Sequence, residues 1–226
     1  MKRIATASGP RQAFSAKRWF FLLLLLLPAA LHAQQFDGGI LLGGNISQVD
    51  GDYWVGYNKV GYLAGGFVCL ELSPHSSLQL EMEYIQKGSR KSDYFEQDAL
   101  HTYLLRLHYL EIPLLYQFTF LKRIQVEAGP AADVLLAYQE QVDGAEVQNL
   151  YPFRAVTLAG IVGASGYITK HLKATFRFNY SLLSLRQPQP EGEGGVPWRT
   201  FLFERGQFNN VLSLSVAYQF KGRRNW

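Results

Sequence analysis

The chain has 226 residues, of which 48% are hydrophobic and 14% aromatic, and its 22 lysines and arginines outnumber its 18 aspartates and glutamates. This length fits one ordinary domain or two small ones, with enough residues for a core. The single cysteine excludes a disulfide framework or a multi-cysteine metal site, and 18% charged residues is too few for a disordered chain. A mean hydropathy of -0.06 excludes a protein built from several transmembrane helices.

Residues 1–33 have the features of a secretory signal peptide. They carry five basic residues and no acidic residue, with an apolar run from Trp19 to Leu31 that is shorter than the roughly 20 residues a transmembrane helix needs. Without this segment, 17 basic and 18 acidic residues remain, so the positive charge gives no support to nucleic-acid binding. We predict cleavage after Ala33 and a mature domain at 34–226, with a retained membrane anchor as the alternative.

The mature chain alternates apolar and polar residues with a period of two, which is typical of β-strands with two different faces. The clearest case runs from Leu172 to Leu182, where the even positions are apolar and the odd positions polar. Eight such segments predict strands near residues 37–47, 60–72, 77–88, 103–118, 124–139, 153–168, 172–186 and 208–221.

The connections between these strands alternate in length. Short turns are predicted at SPHS, FLKR and TKH, and longer polar links rich in Gly or Pro separate them. In an up-and-down antiparallel chain, this alternation places all short turns at one end and all long loops at the other. Outer-membrane barrels have this arrangement, with short periplasmic turns and long extracellular loops.

The two faces of the predicted strands indicate which solvent each one meets. The apolar face is rich in Leu, Val, Phe and Tyr, as a lipid-facing belt requires, and the polar face mixes small residues with opposite charges, which suits a narrow lumen. An eight-stranded lumen is filled by side chains, so a wide pore is not expected. The predicted lumenal polar network comprises Glu81, Glu83, Arg106, Glu111, Glu127, Lys173 and Arg177.

The fourth strand departs from the pattern. Arg106 and His108 share their parity with Leu110, and Pro113 cannot donate a ladder hydrogen bond. We therefore expect a bulge or a switch of face near Tyr109.

The last strand and the loops carry two further candidate sites. The closing segment, with Ser213 at its start, Tyr218 two before its end and Phe220 as the terminal aromatic residue, looks like the signal by which the barrel-assembly machinery recognises its clients. A second group of aromatic residues falls in the long loops. These candidates for extracellular recognition, or for interfacial anchoring, are Tyr53, Trp54, Tyr57 and Trp198.

Several stretches resemble the PorT-like outer membrane β-barrel proteins of Bacteroidetes-type bacteria. The stretches include GGILLGGNIS at 38–47, YLEIPLLYQF at 109–118, VEAGPAADVLL at 126–136 and the closing SLSVAYQF. The resemblance implies an eight-stranded barrel in the outer membrane, and some members are tied to type IX secretion. That link would reach this chain only by family analogy.

The sequence therefore predicts an all-β, eight-stranded antiparallel up-and-down transmembrane β-barrel with periplasmic termini and extracellular long loops. We expect a non-enzymatic structural, recognition or accessory role, with no cofactor, no metal and no nucleic-acid partner. Expected partners are outer membrane lipid, the barrel-assembly machinery and secretion or envelope proteins.

Two other function classes remain open at this point. A soluble barrel would put the apolar face inside around a small apolar ligand. A barrel enzyme acting on lipid would need a His, a Ser and a carboxylate at the outer rim, where His101 lies near Ser92 and Asp93. A polar loop contains such residues by chance, and a lumenal hydrogen-bond network likewise explains His108 beside the glutamates without a metal.

Overall fold

The protein is described by a computed structural model. The structure describes residues 36–51, 56–91, 102–121, 123–147, 152–186 and 206–221. The predicted signal peptide lies outside this part of the chain. Within the described ranges, no helix has the length and apolarity needed to cross a membrane.

The described chain is built from β-strands whose alternating residues give each strand two faces. In chain order they are β1 (Phe36–Asp50), β2 (Lys59–Ser73), β3 (Ser76–Arg90), β4 (Tyr103–Phe120), β5 (Ile124–Val142), β6 (Ala145–Glu146), β7 (Val156–Tyr167), β8 (Leu172–Ser181) and β9 (Phe208–Gln219).

The eight long strands form a closed antiparallel barrel, which confirms the predicted fold. Each pairs with its neighbour in the order β4, β3, β2, β1, β9, β8, β7, β5, and β4 pairs with β5 to close the ring. The two-residue β6 only folds back on the end of β5. Closure pairs the edge of every long strand, which a strand in lipid requires because no water is present to satisfy its backbone.

The connections sort by length between the two ends of the barrel. The turns at 74–75, 121–123 and 168–171 lie at the end where β1 starts and β9 stops. The longer connections, which begin after β1, β3, β5 and β8, all leave from the opposite end. We call these the turn end and the loop end. Because the long connections all leave from one end, any recognition that they perform takes place at that end of the barrel.

Two strands are shorter at the loop end than the sequence predicts. The sixth predicted strand began at 153 and the seventh ended at 186, whereas β7 begins at Val156 and β8 ends at Ser181. Between these limits the two segments are joined by an isolated bridge between Phe153 and Arg186 in place of a continuous ladder.

The apolar faces point outward, so the soluble-barrel alternative is wrong. On β8 the side chain of Phe176 is 53% exposed, whereas the adjacent Arg177 is 5% exposed inside the barrel. On β4 the outward residues are apolar from Leu110 to Phe120. These ten steps of about 3.4 Å, on strands tilted by about 40°, give an apolar belt about 25 Å high, which matches the belt of an outer-membrane barrel.

The structure corrects the interpretation of β4. The strand keeps a single parity throughout, with odd residues inward, so Arg106 lies on the exposed outer face and is not part of the lumen. The bulge lies across the pair on β5, where Ala137 is opposite His108 and Leu135 is opposite Tyr109, leaving Leu136 unpaired. β4 therefore does not switch face. Above the belt, outward residues such as Arg106 are polar because they meet water or headgroups instead of lipid chains.

Above the belt, a cluster of apolar side chains fills part of the barrel interior. Leu105 and Leu107 of β4 are completely buried there, as is Leu185 from the segment after β8. Phe153 and Tyr109 belong to the same buried cluster. On β4 above the belt, the inward residues are therefore apolar and the outward Arg106 and His108 are polar, which reverses the pattern of the same strand within the belt.

Candidate functional site

The lumen within the belt is crossed by an arginine held between two carboxylates. Arg177 of β8 donates from Nη1 and Nη2 to both carboxylate oxygens of Glu81 on β3, at 2.7 and 2.6 Å. Its Nε donates to Glu127 on β5, at 2.5 Å. Gln117 donates to the other Glu127 oxygen and to the Gln79 amide oxygen. This network ties four strands together across the barrel.

A second buried cluster lies nearer the loop end. The Lys87 ammonium on β3 forms ion pairs with Glu111 on β4 and with Asp133 on β5, the latter at 2.7 Å. Asn179 of β8 donates to the same Glu111 oxygen at 2.8 Å. Glu83, opposite Glu111 in the ladder, is 2% exposed and lies between the two clusters. Together the clusters fill the lumen, so it has no open channel at this height within the described residues.

Small residues on the inward face make room for these long side chains. A Cβ on Gly163 of β7 would lie 3.0 Å from Arg177 Cγ and 3.2 Å from Glu127 Oε1. A Cβ on Gly65 of β2 would lie 2.5 Å from the Glu83 Cβ. The inward glycines therefore serve close packing around charged side chains.

The mouth of the barrel is covered on one side by the segments that leave β7 and β8. Arg186 pairs with Glu140 at 2.7 Å, and its guanidinium carbon lies 3.9 Å from the Phe153 ring centre. Tyr103 donates to the other Glu140 oxygen at 3.0 Å. These contacts hold Leu185 over the apolar interior and close that side of the mouth.

Most of the predicted lumenal network is gathered inside the barrel. Six of its seven residues are at most 5% exposed, and Arg106 is the exception. The predicted network left out Lys87, Asp133 and Glu140. Lys87 and Asp133 lie within the predicted strands 77–88 and 124–139 and share the parity of Glu81 and Glu127, so the same alternation places them inside. Glu140 could not be found that way because the bulge reverses the parity of β5 before it.

The predicted loop recognition residues are described only in part. Tyr53, Trp54 and Trp198 lie outside the described residues. Tyr57 donates from its phenol to Asn210 Oδ1 of β9 at 2.6 Å, and Asn210 in turn donates to Asp50. Burial, together with the charge of Asp50, raises the pKa of the Tyr57 phenol. Tyr57 is thus fastened to the barrel rim.

The residues of the predicted assembly signal lie on both faces of β9. Ser213 faces inward, whereas Tyr218 and Phe220 face outward at the turn end, 46% and 59% exposed. The Tyr218 ring stacks on His171 with the ring centres 5.7 Å apart. The two aromatic residues therefore lie where the interfacial girdle of a barrel is found.

The histidines and acidic residues do not form a metal centre in the described part of the chain. No group of three or more His, Cys, Asp or Glu side chains is placed there to hold an ion. His108 lies on the outer face and its Nδ1 is 2.5 Å from the Tyr84 phenol oxygen, so it is apart from the lumenal glutamates. The rim residues Ser92, Asp93 and His101 lie outside the described residues.

Comparisons with known proteins identify the same architecture. A family model described as outer membrane protein beta-barrel domain matches residues 32–187. Neisserial surface protein A is similar in fold, with a TM-score of 0.50 and 10% identity over 81% of this chain and 97% of that protein. Ail, the attachment invasion locus protein of Yersinia pestis, gives a TM-score of 0.44 and 13% identity over 82% and 99% of the two chains. A search of curated proteins found no match.

Proposed function

The chain belongs to the family of outer membrane protein β-barrel domains, and on this premise we propose that it is a non-enzymatic barrel whose loop end is its working surface. In this proposal the termini and short turns face the periplasm and the long loops face the cell exterior. The loops recognise or scaffold other envelope components while the barrel anchors them.

The filled lumen is the observation that carries this proposal. Arg177 is held by Glu81 and Glu127, and Lys87 by Glu111 and Asp133, so charged side chains cross the barrel at two heights. Above them, the apolar interior around Leu105 and Leu185 forms a further barrier. A barrel closed in this way supports anchoring better than diffusion of solutes.

Conductance measurements test the closed lumen. Purified protein inserted into planar bilayers is expected to give no steady single-channel steps, because opening a path would break buried ion pairs. The comparison is a variant with alanine at both Arg177 and Lys87, which lacks the cations of both lumenal clusters and shows how much current a weakened lumen lets through. Regular conductance steps from the unmodified protein would contradict the proposal.

The non-enzymatic part is supported by the position of the ionisable groups. The carboxylates of Glu81 and Glu127 are both engaged by Arg177 inside the barrel, where membrane lipid has no access. Lipid A from cells with and without the gene is expected to give the same mass spectrum. A change in its acylation or phosphorylation would instead favour a lipid-modifying enzyme.

The narrower assignment, a PorT-like accessory of a secretion complex, is supported by the YLEIPLL and EAGP stretches. Affinity purification from detergent extracts tests it, with a variant whose loop 92–100 is shortened to a glycine linker as the control. Recovery of secretion components with the full chain and their loss with the shortened loop would support the assignment. Purification of the barrel alone would contradict it.

A further inference from the structure

At the loop end, the backbone pairing between β2 and β3 stops before the two strands do. Both strands continue upward, to Lys59 and Arg90, but their ladder ends at the pair Leu63 and Ile85. Beyond it, the contacts are made by side chains. Ser47 of β1 donates to the Gly88 carbonyl of β3 at 2.9 Å, and the Lys59 ammonium donates to the carbonyl of its own neighbour Val60 at 2.6 Å.

Gly88 marks where β3 takes an unusual path. Its φ is +141°, a region that favours glycine, and a Cβ there would lie 2.1 Å from the Leu105 carbonyl oxygen. The Lys59 ammonium also donates to Gln86 Oε1, at 2.9 Å, and so reaches a side chain of the outer face. Lys59 is only 4% exposed, so its ammonium lies within the wall, against the outward side chain of Gln86.

A cleft of about 640 Å³ lies on the outer side of this region. Its described lining contains four cations, Lys59, Arg90, Lys91 and Arg106, and no acidic side chain. Arg90 lies opposite Leu104, and Arg106 opposite Gly88, in the ladder between β3 and β4. The two arginines are thus diagonal neighbours on the outer face, with a separation of about 7–8 Å between their backbones.

These two arginines differ from the lumenal ones in having no carboxylate partner among the described residues. Arg177 and Arg186 are each held in an ion pair. Arg106 makes one hydrogen bond, at 3.3 Å, to the neutral amide oxygen of Gln139. Both Arg90 and Arg106 lie close enough to Lys59 for their charges to repel. Among the described residues, three cations therefore lie close together without a carboxylate partner, an arrangement suited to binding an anion.

The height of the cleft indicates where that anion comes from. The apolar outer face of β4 ends at Leu110, and Arg106 lies four residues further, about 10 Å above it along the barrel axis. This is the level of the lipid headgroups, and an arginine side chain can extend several ångströms toward them.

We propose that this cleft binds the phosphorylated headgroup of an anionic lipid in the leaflet at the loop end. The guanidinium groups of Arg90 and Arg106 donate to phosphate oxygens. The paired N–H donors of a guanidinium match the spacing of two phosphate oxygens. The Lys59 ammonium uses two of its three donors within the wall and directs the third at the phosphate. The Gln86 side-chain amide, which accepts from the Lys59 ammonium, lines the same cleft.

Native mass spectrometry of the full chain in nanodiscs tests this proposal. The probe is diphosphorylated lipid A at low content in phosphatidylcholine, and the variant is Arg90→Gln with Arg106→Gln. Each arginine at the membrane surface contributes about fivefold to affinity, so the double variant is expected to bind roughly 25-fold more weakly. Lys170→Gln with Lys221→Gln removes two charges at the turn end and is expected to bind like the unmodified chain.

Three results would overturn the proposal. Equal lipid binding by the double variant and the unmodified chain would show that the arginines take no part. Equal retention of phosphatidylcholine would show that an anionic headgroup is not selected over the zwitterionic bulk lipid. Displacement of the lipid by inorganic phosphate would assign the cleft to a soluble anion. Heat-modifiable migration on gels confirms in each case that the variant is folded.

Discussion

Replacing Arg177 with methionine tests the lumenal network most severely. The substitution keeps an unbranched side chain but removes the cation that three hydrogen bonds join to Glu81 and Glu127. Those carboxylates then remain inside the barrel without their counter-charge. The paired side chains of Arg177 and Glu81 are 7% and 0% exposed, so water cannot take the place of the arginine.

The expected cost is large because the pair is buried. Removing one partner of a buried ion pair destabilises a protein by about 3–5 kcal/mol. This corresponds to roughly a thousandfold change in the unfolding equilibrium constant. Adding Glu81→Gln and Glu127→Gln to the variant removes the stranded charges, so the triple variant is expected to recover most of the loss.

Urea titration in lipid vesicles measures this cost, with the folded fraction read from heat-modifiable migration on gels. Arg106→Met is the matched control, because the same side chain is removed on the exposed outer face, where the loss is expected to stay below about 1 kcal/mol. Equal destabilisation by the two single variants would refute the reasoning. So would a triple variant that is less stable than Arg177→Met alone.

Two further pairs of variants test packing at other points of the barrel. Gly163→Ala places a methyl group against the Arg177 side chain and is expected to cost about 1–3 kcal/mol, whereas Gly160→Ala on the outer face of the same strand should change the urea midpoint little. Leu105→Ala removes a fully buried side chain above the belt and should cost about 2–5 kcal/mol, but Leu104→Ala, its outward neighbour, under about 1 kcal/mol. Reversal of either order in urea titration would contradict the assignment of the faces.

The fold could be predicted from the sequence because the strands of a membrane barrel alternate apolar and polar residues. Within the belt, outward positions meet lipid and most charged side chains point inward, into a crowded lumen. Neighbours such as Phe176 and Arg177 therefore differ in kind, and their parity predicts their faces. Closure follows as well, since lipid tolerates β-structure only without open edges.

The same rule failed where the strands rise above the belt. There the outer solvent is polar, so the inward positions Leu105 and Leu107 become apolar and Arg106 points outward. Parity alone cannot locate this crossover, because a polar residue faces whichever side offers water or a counter-charge. A bulge near Tyr109 was expected, but the sequence did not indicate that the unpaired residue, Leu136, lies on β5, since one unpaired residue leaves no mark in composition.

A candidate site could be predicted from the sequence only where the alternation of polar and apolar residues defines it. Glu81, Glu127 and Arg177 were found because their parity places them inside. The cleft beside Arg90 was not found, since it needs the end of the β2–β3 ladder and a glycine with positive φ, and both depend on three-dimensional register.

Spin labels along β4 test the central claim that the apolar belt lies in lipid and ends below Arg106. Single cysteines at the outward positions from Leu104 to Phe118, in a Cys69→Ser background, are labelled in vesicles and exposed to oxygen or to a water-soluble nickel complex. We predict faster collisions with oxygen at positions 110–118 and with nickel at positions 104 and 106. Nickel access at Ile112 and Leu114, or an oxygen-dominated signal at position 106, would contradict it.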